Sequence, residues 1–322
     1  MLVNPQVFEV KTSTVIQSDR SEPISTELFM SPKIAMRNLN YDLKQLVNRH
    51  RDGSFTTRDD RHTALQQMAN DLHTLGFRQM RGDSLKPKHI EALTKHWLNN
   101  KLSVGTMKNR MAHVRWWASK IGKSGIVMTN DKYGIGTRRY ATNVSKGHEL
   151  TPGQMDKITD RYTELSLKLQ QTFGLRREES IKFTVFYADQ GDKITLKGSW
   201  TKGGRPRTVD IRTAEQRALL DEVRAFAGDR SLIPPQSSYR DQLQVFKYQI
   251  QQAGIHNVHG LRHQYAQTRY EQITGWKSPA AGGPTSKQLT TEQKQNDTVA
   301  RILISRELGH EREQITATYL GR

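Results

Sequence analysis

The chain has 322 residues, enough for two compact domains with tails. Its 50 lysines and arginines outnumber 32 aspartates and glutamates, giving a formal charge of +18, a pI near 10.0 and a mean hydropathy of −0.75. Such a surplus points to a polyanion, most often nucleic acid. The lack of cysteine excludes disulfides, thiolate catalysis and cysteine-held zinc. No stretch reads as a signal peptide or membrane span, so a cytoplasmic protein with no membrane partner is expected, nucleoid-associated when on DNA.

Residues 1–33 lack a sustained period and contain Pro5, Pro23 and Pro32, which makes a flexible arm the default expectation, with a short strand or a small DNA-contacting element as the alternatives. From 34 to 122 the pattern is helical, and an all-α domain is expected. Ile34-Ala35-Met36, Leu39, Leu43 and Leu46-Val47 recur at spacings of three and four. A second helix is expected after Thr57, carrying Leu65, Met68 and Leu72 and ending at Leu75-Gly76. Pro87 opens a third, with Ile90, Leu93 and Trp97 on one face. In the fourth, Met107, Met111, Val114, Ala118 and Ile121 form the apolar stripe. Lys108, Arg110, Arg115 and Lys120 lie mostly off it and are candidates for phosphate contacts.

Residues 123–150, broken by glycines and charged by Arg138, Arg139 and other basic residues, read as a linker with further candidate DNA contacts. Thr151-Pro152 is an N-cap followed by proline, a helix start that opens a second domain over 151–322. Helices are expected from Pro152 to Phe173, then a turn and short helix over Gly174–Ser180. Strand candidates Lys193–Trp200 and Arg205–Ile211 flank Thr201-Lys202-Gly203-Gly204, which predicts a small antiparallel hairpin. Helices resume at Ala214–Phe226, Tyr239–Gln252 and His259–Glu271. The segment 275–296, rich in Gly, Pro, Ser, Thr and Gln, reads as an exposed insertion before a helix over 297–308.

The polar residues of this second domain suggest chemistry. Arg176 sits by a turn, Lys202 in the hairpin turn, and His259 and Arg262 at i, i+3 on one helical face. His310 follows Leu308-Gly309, and Tyr319 comes nine residues later. Clustered carboxylates to hold magnesium are missing, so two-metal phosphodiester hydrolysis is unsupported. A metal-free route needs cations for the phosphoryl oxygens, an acid for the leaving alkoxide and a protein nucleophile. Arginine, lysine or histidine, and tyrosine provide candidates for each. His259 and His263 have zinc-helix spacing, but Gly-Leu-Arg lies between them with no glutamate, which favours a structural or supporting His263.

With those motifs in order, the second domain resembles the tyrosine recombinases, the phage-integrase type of site-specific DNA recombinase. Arg176 and Glu179 after Gly174-Leu175, Lys202, His259 and Arg262, His310 and Tyr319 match that family in identity, order and spacing. The helical domain at 34–122 resembles the family's core-binding domain by position and helicity. The resemblance implies that Tyr319 attacks the scissile phosphate to give a 3′-phosphotyrosyl link. Arg176 and Arg262 would hold the non-bridging oxygens, and Lys202 would protonate the leaving 5′ oxygen. His259 would assist proton transfer, His310 would hydrogen-bond the phosphate, and Glu179 would support its neighbours. It also implies double-stranded DNA recombination sites, a homotetramer on DNA, exchange through a Holliday junction, possible accessory DNA-bending proteins, and neither cofactor nor ATP.

The sequence departs from the family pattern in two places. The segment 275–296 lengthens the path from His-x-x-Arg to Leu-Gly-His, and the chain stops soon after Tyr319, so either a tetramer would close differently than in many relatives or the chain has been shortened. The expected role is integration or excision of a phage or mobile element. Alternatives are resolution of chromosome or plasmid multimers, a type IB topoisomerase, and a DNA-binding regulator with an idle catalytic domain.

Overall fold

The computed structural model describes residues 37–310 and 312–322. The arm expected over 1–33 and the Ile34-Ala35-Met36 cluster lie outside them. The chain divides into two compact units, residues 1–137 and 138–322.

The described part of the first unit is four helices with short turns after them: α1 (Asn38–Arg49), α2 (Phe55–Thr74), α3 (Pro87–Asn99) and α4 (Val104–Lys120). α2 starts at Phe55, ahead of the expected point, because the Ser54 hydroxyl accepts from the Thr57 amide at 3.2 Å and caps the helix there. Gly76, at φ +95, follows its end. Pro87 does occupy the first turn of α3. The core joins Leu43, Leu65, Met68, Leu93, Met111 and Val114 around two buried tryptophans. Trp97 donates to Asp71 at 3.1 Å and Trp117 to the Gly82 carbonyl at 2.7 Å. Trp117 belongs to the buried stripe of α4, whereas Ile121 lies just past the helix end and is only partly buried.

The stretch read as a linker is shared between the units. Tyr133 and Ile135 are buried in the first core. Residues from Arg138 onward belong to the second unit, where Ser145 donates to Gln267 at 2.9 Å.

The second unit begins with α5 (Pro152–Met155), α6 (Arg161–Phe173), α7 (Arg177–Ile181) and α8 (Val185–Ala188). Strands β1 (Lys193–Leu196) and β2 (Arg207–Asp210) pair antiparallel, Lys193 opposite Asp210 and Leu196 opposite Arg207. They are shorter than expected, because Gly198–Trp200 turn as a 3₁₀ segment. A Cβ at Gly198 would come within 2.4 Å of the Gly204 carbonyl oxygen, so only glycine lets the arm fold back there. Then follow α9 (Ala214–Ala227), α10 (Tyr239–Gln252), α11 (His259–Thr274), α12 (Thr291–Glu307) and α13 (Ala317–Leu320).

The segment 275–296 is neither wholly loop nor wholly exposed. Thr290 and Gln293 form a capping box that starts α12 at Thr291, and Ser278, Ala280 and Leu289 are buried. α11 packs against α6, α12 and α13, and Leu169, Phe173, Tyr270, Ile304, Leu308 and Tyr319 share one core. The described residues are thus mainly helical with one small sheet, and those of the first unit are all helices and turns. Among the described residues no helix is long and apolar enough to cross a membrane.

Candidate active site

The site is assembled from chain segments far apart in sequence. Gly174, at φ +62, ends α6 where a Cβ would lie 2.5 Å from the Tyr265 ring, so glycine alone permits this turn into Arg176. Arg176 caps α7: its amide donates to the Glu179 carboxylate at 2.7 Å and its guanidinium to the same carboxylate at 2.8 Å. Its second arm donates to the Leu308 carbonyl at 3.1 Å.

Arg262, one turn into α11, is buried. It donates to the Gly174 carbonyl at 2.5 Å, to that same Leu308 carbonyl, and to the Tyr319 hydroxyl at 3.4 Å. One carbonyl therefore ties the two arginines together. All three of these Arg262 bonds end on neutral oxygens. Burial, with the neighbouring cations Arg176 and Arg207, lowers the Arg262 pKa to about 10. A buried guanidinium without a carboxylate of its own is set up to receive an anion.

Three histidines surround the tyrosine ring. The His310 Nε2 stands 3.4 Å from the Tyr319 hydroxyl, while the rings of His263 and His259 lie 4.6 and 6.0 Å away between centroids. Burial, then the charges of Arg262, Arg176 and Arg207, push the His310 pKa down to about 4. Burial, then His259 and Lys146, bring His263 to about 4 as well. His259, more exposed at the start of α11, is also lowered, by desolvation on its protein side and by Arg262. With pKa values near 4, His310 and His263 are both neutral at pH 7.

Arg207 is a charged member of the site that the motif pattern does not single out. It forks onto Glu179 at 2.7 and 2.6 Å and donates to the Glu307 carbonyl at 2.9 Å. Burial would raise the Glu179 carboxyl, but Arg207, Arg262 and Arg176 hold it near 2. Arg207 was findable: it alternates with Val209 on the inward face of β2, where a cation needs a partner. Glu307 is a second buried carboxylate, taking Tyr265 at 2.8 Å and Arg212 at 2.5 Å.

Arg176, Glu179, Arg262, His263, His310, Tyr319 and, at the rim, His259 are thus brought together. Lys202 is exposed on the arm between β1 and β2. Of the basic candidates in the first unit, Arg110 is engaged with Asp71 at 3.3 Å, Arg115 with Asn130 at 2.8 Å, and Lys120 with Asp52 at 3.8 Å. Arg138 lies over the Tyr140 ring and Arg139 is exposed.

A family model described as phage integrase, N-terminal, matches residues 36–127, and one described as integrase matches residues 136–268. No curated protein sequence matches the chain. Among solved structures, a lambda integrase tetramer bound to a Holliday junction is 13% identical, with a TM-score of 0.55 over 87% of this chain and 76% of that one. A XerH recombinase bound to palindromic difH substrate is 17% identical, with a TM-score of 0.54 over 87% and 80%. The Tn1549 transposon integrase with circular intermediate DNA is 12% identical, with a TM-score of 0.50 over 88% and 95%.

The helical unit followed by an integrase unit defines an enzyme that transfers DNA strands. The chain belongs to the tyrosine recombinase, or phage-integrase, family and is a site-specific DNA recombinase. The integrase match includes Arg176, Lys202, His259 and Arg262; His310 and Tyr319 lie beyond its last residue.

Proposed function

We propose that Tyr319 is the nucleophile of a metal- and ATP-independent DNA strand exchange that integrates or excises a mobile element. The observation that supports this most is the convergence of Arg262 Nε and His310 Nε2 on the tyrosine hydroxyl, each at 3.4 Å. A phosphate approaching that hydroxyl meets two guanidiniums already fixed to one carbonyl, so charge building on the phosphoryl oxygens is stabilised without reorganisation. As the tyrosine oxygen bonds to phosphorus, its proton passes to His259, His310 hydrogen-bonds the phosphate, and the bond to the 5′ oxygen breaks. Lys202, exposed on the arm between β1 and β2, gives that oxygen its proton. The product is a 3′-phosphotyrosyl link and a free 5′-hydroxyl, and a second strand's 5′-hydroxyl reverses the step. His263, buried beside the ring and neutral, supports the tyrosine by packing.

Lys108, Arg110, Arg115, Lys120, Arg138 and Arg139 are proposed to face the DNA backbone. Exchange takes place in a homotetramer, as in the lambda integrase assembly on a Holliday junction, with accessory DNA-bending proteins where the sites require them. The test uses duplex sites enriched by binding from a randomised library and nicked near the cleavage position. Wild type should form a denaturant-stable protein–DNA adduct, and Tyr319→Phe should form none. An adduct with Tyr319→Phe would overturn the assignment. Joining of two sites on separate molecules favours integration over multimer resolution.

A further inference from the structure

The segment that carries Tyr319 cannot hold itself. α13 has four residues, far too few for a stable helix. Yet a nucleophile misplaced by about 1 Å loses on the order of 100-fold in rate. The main chain around Tyr319 is instead gripped by side chains from three separate stretches. Gln267 of α11 donates to the Tyr319 carbonyl at 3.0 Å and is itself held by Ser145. Arg301 of α12 donates to the Gly321 carbonyl at 2.9 Å, its Nε fixed on both oxygens of Asp297 at 2.8 and 2.9 Å. Asp297 in turn accepts from Tyr270 at 2.6 Å. Asn143 pairs both ways with the Arg322 backbone, at 2.9 and 2.8 Å.

The segment between α11 and α12 provides the wall. Gly321, at φ +72, fits so closely that a Cβ would lie 2.5 Å from the Asn143 oxygen, 2.8 Å from the Ala280 nitrogen and 3.1 Å from Pro279. Pro279 and Ala280 belong to the lengthened loop for which the sequence offers no role.

We propose that Arg301, Gln267 and Asn143, backed by the Pro279–Ala280 turn, are positioning residues that lock Tyr319 into the active site of its own chain. This rests on Tyr319 being the nucleophile. The lock acts on the backbone, so it fixes where the hydroxyl sits without touching DNA or the reacting atoms. The extra loop between α11 and α12 is the surface against which the lock closes.

The experiment is single-turnover adduct formation by the full chain on the nicked selected duplex, with DNA affinity measured in parallel. Arg301→Ala should slow adduct formation on the order of 100-fold while DNA affinity stays within two-fold, and Arg301→Lys should recover part of the loss. Should Arg301→Ala melt early, the milder Asn143→Ala and Gln267→Ala carry the test, each slowing cleavage about 10-fold at unchanged affinity. Wild-type cleavage rates in these variants overturn the proposal. A mixture of Tyr319→Phe with a size-tagged Arg262→Ala chain should give no adduct. An adduct on the Arg262→Ala chain would mean the tyrosine reaches a neighbour's site, and the lock would be refuted. An adduct with Tyr319→Phe alone would instead refute the nucleophile assignment beneath it.

Discussion

Arg207 and Glu179 form a buried two-pronged ion pair at 2.7 and 2.6 Å, and through it the β-hairpin is tied to the turn that carries Arg176. Glu179 also takes the Arg176 guanidinium at 2.8 Å, so one carboxylate sets the orientation of a proposed phosphate ligand and neutralises a second cation. Leu308 and Glu307 offer their carbonyls to the same arginines, which joins the Leu-Gly-His segment to the cluster.

That arrangement predicts an asymmetry. Arg207→Ala leaves Glu179 buried and short of a partner, and should cost about 3–5 kcal/mol of stability. Arg207→Met combined with Glu179→Leu removes both charges and should recover much of that loss in a denaturant titration. Adduct formation should remain absent in the double variant, because Arg176 no longer has its carboxylate anchor. Recovery of cleavage together with stability would show that the pair has no part in setting Arg176.

Much of this site was legible in the sequence, and the unread parts share a cause. Arg176, Arg262, His310 and Tyr319 keep their order and their local motifs whatever the length of the loops between them, so order alone singles them out. Arg207 could be placed only from the short alternation it shares with Val209 in β2, and the strands proved shorter than expected. Glu307 read as an ordinary helix residue, because its partners Arg212, Arg269 and Tyr265 come from two other segments. Loop composition misjudged the stretch before α12, where the Thr290–Gln293 cap starts the helix and Gly275 and Gly282, both left-handed, end the turns before it. Basic side chains on α4 looked alike in sequence, yet most are held by their own domain.

The glycine of the Leu-Gly-His segment is fixed by two demands. Gly309 has φ +67, and a Cβ there would lie 2.8 Å from Arg207 Cδ. Gly309→Ala should therefore cost about 1–2 kcal/mol in backbone strain and also displace Arg207. Lowered thermal stability and slowed adduct formation are expected together. Gly76, also at positive φ (+95) but with open space around its Cβ position, is the control: Gly76→Ala should lose stability alone.

The basic residues of α4 should separate by experiment. Arg110 sits over the Trp97 ring at 5.3 Å and pairs with Asp71 at 3.3 Å, so Arg110→Ala should lower the melting temperature. Lys108 has no hydrogen bond or ion pair among the described residues. Lys108→Ala should leave melting unchanged, weaken DNA binding, and reduce the slope of log affinity against log salt by about 1. Equal effects of the two substitutions on melting would contradict this division.

Acid should weaken the folded protein before it removes the carboxylates. His263 and His310 sit near 4 when folded against an ordinary 6.5, so between those values the unfolded chain binds more protons than the folded one. Their contribution to stability is fully present above about 6.5 and falls as the pH drops towards 4. Glu179, near 2 against 4.5, adds a second loss only below 4.5. Denaturation followed from pH 7.5 to 5 should show falling stability, and His310→Gln should flatten part of that slope. A DNA phosphate placed beside His310, as proposed, would offset the Arg262, Arg176 and Arg207 charges that depress it. The His310 pKa then rises on binding, the complex takes up protons, and affinity for the selected site should increase as the pH is lowered from 7 to 5.5. Titration calorimetry in buffers of different ionisation enthalpy measures that uptake directly. No buffer dependence, or an uptake unchanged in His310→Gln, would remove His310 from the phosphate-contacting set.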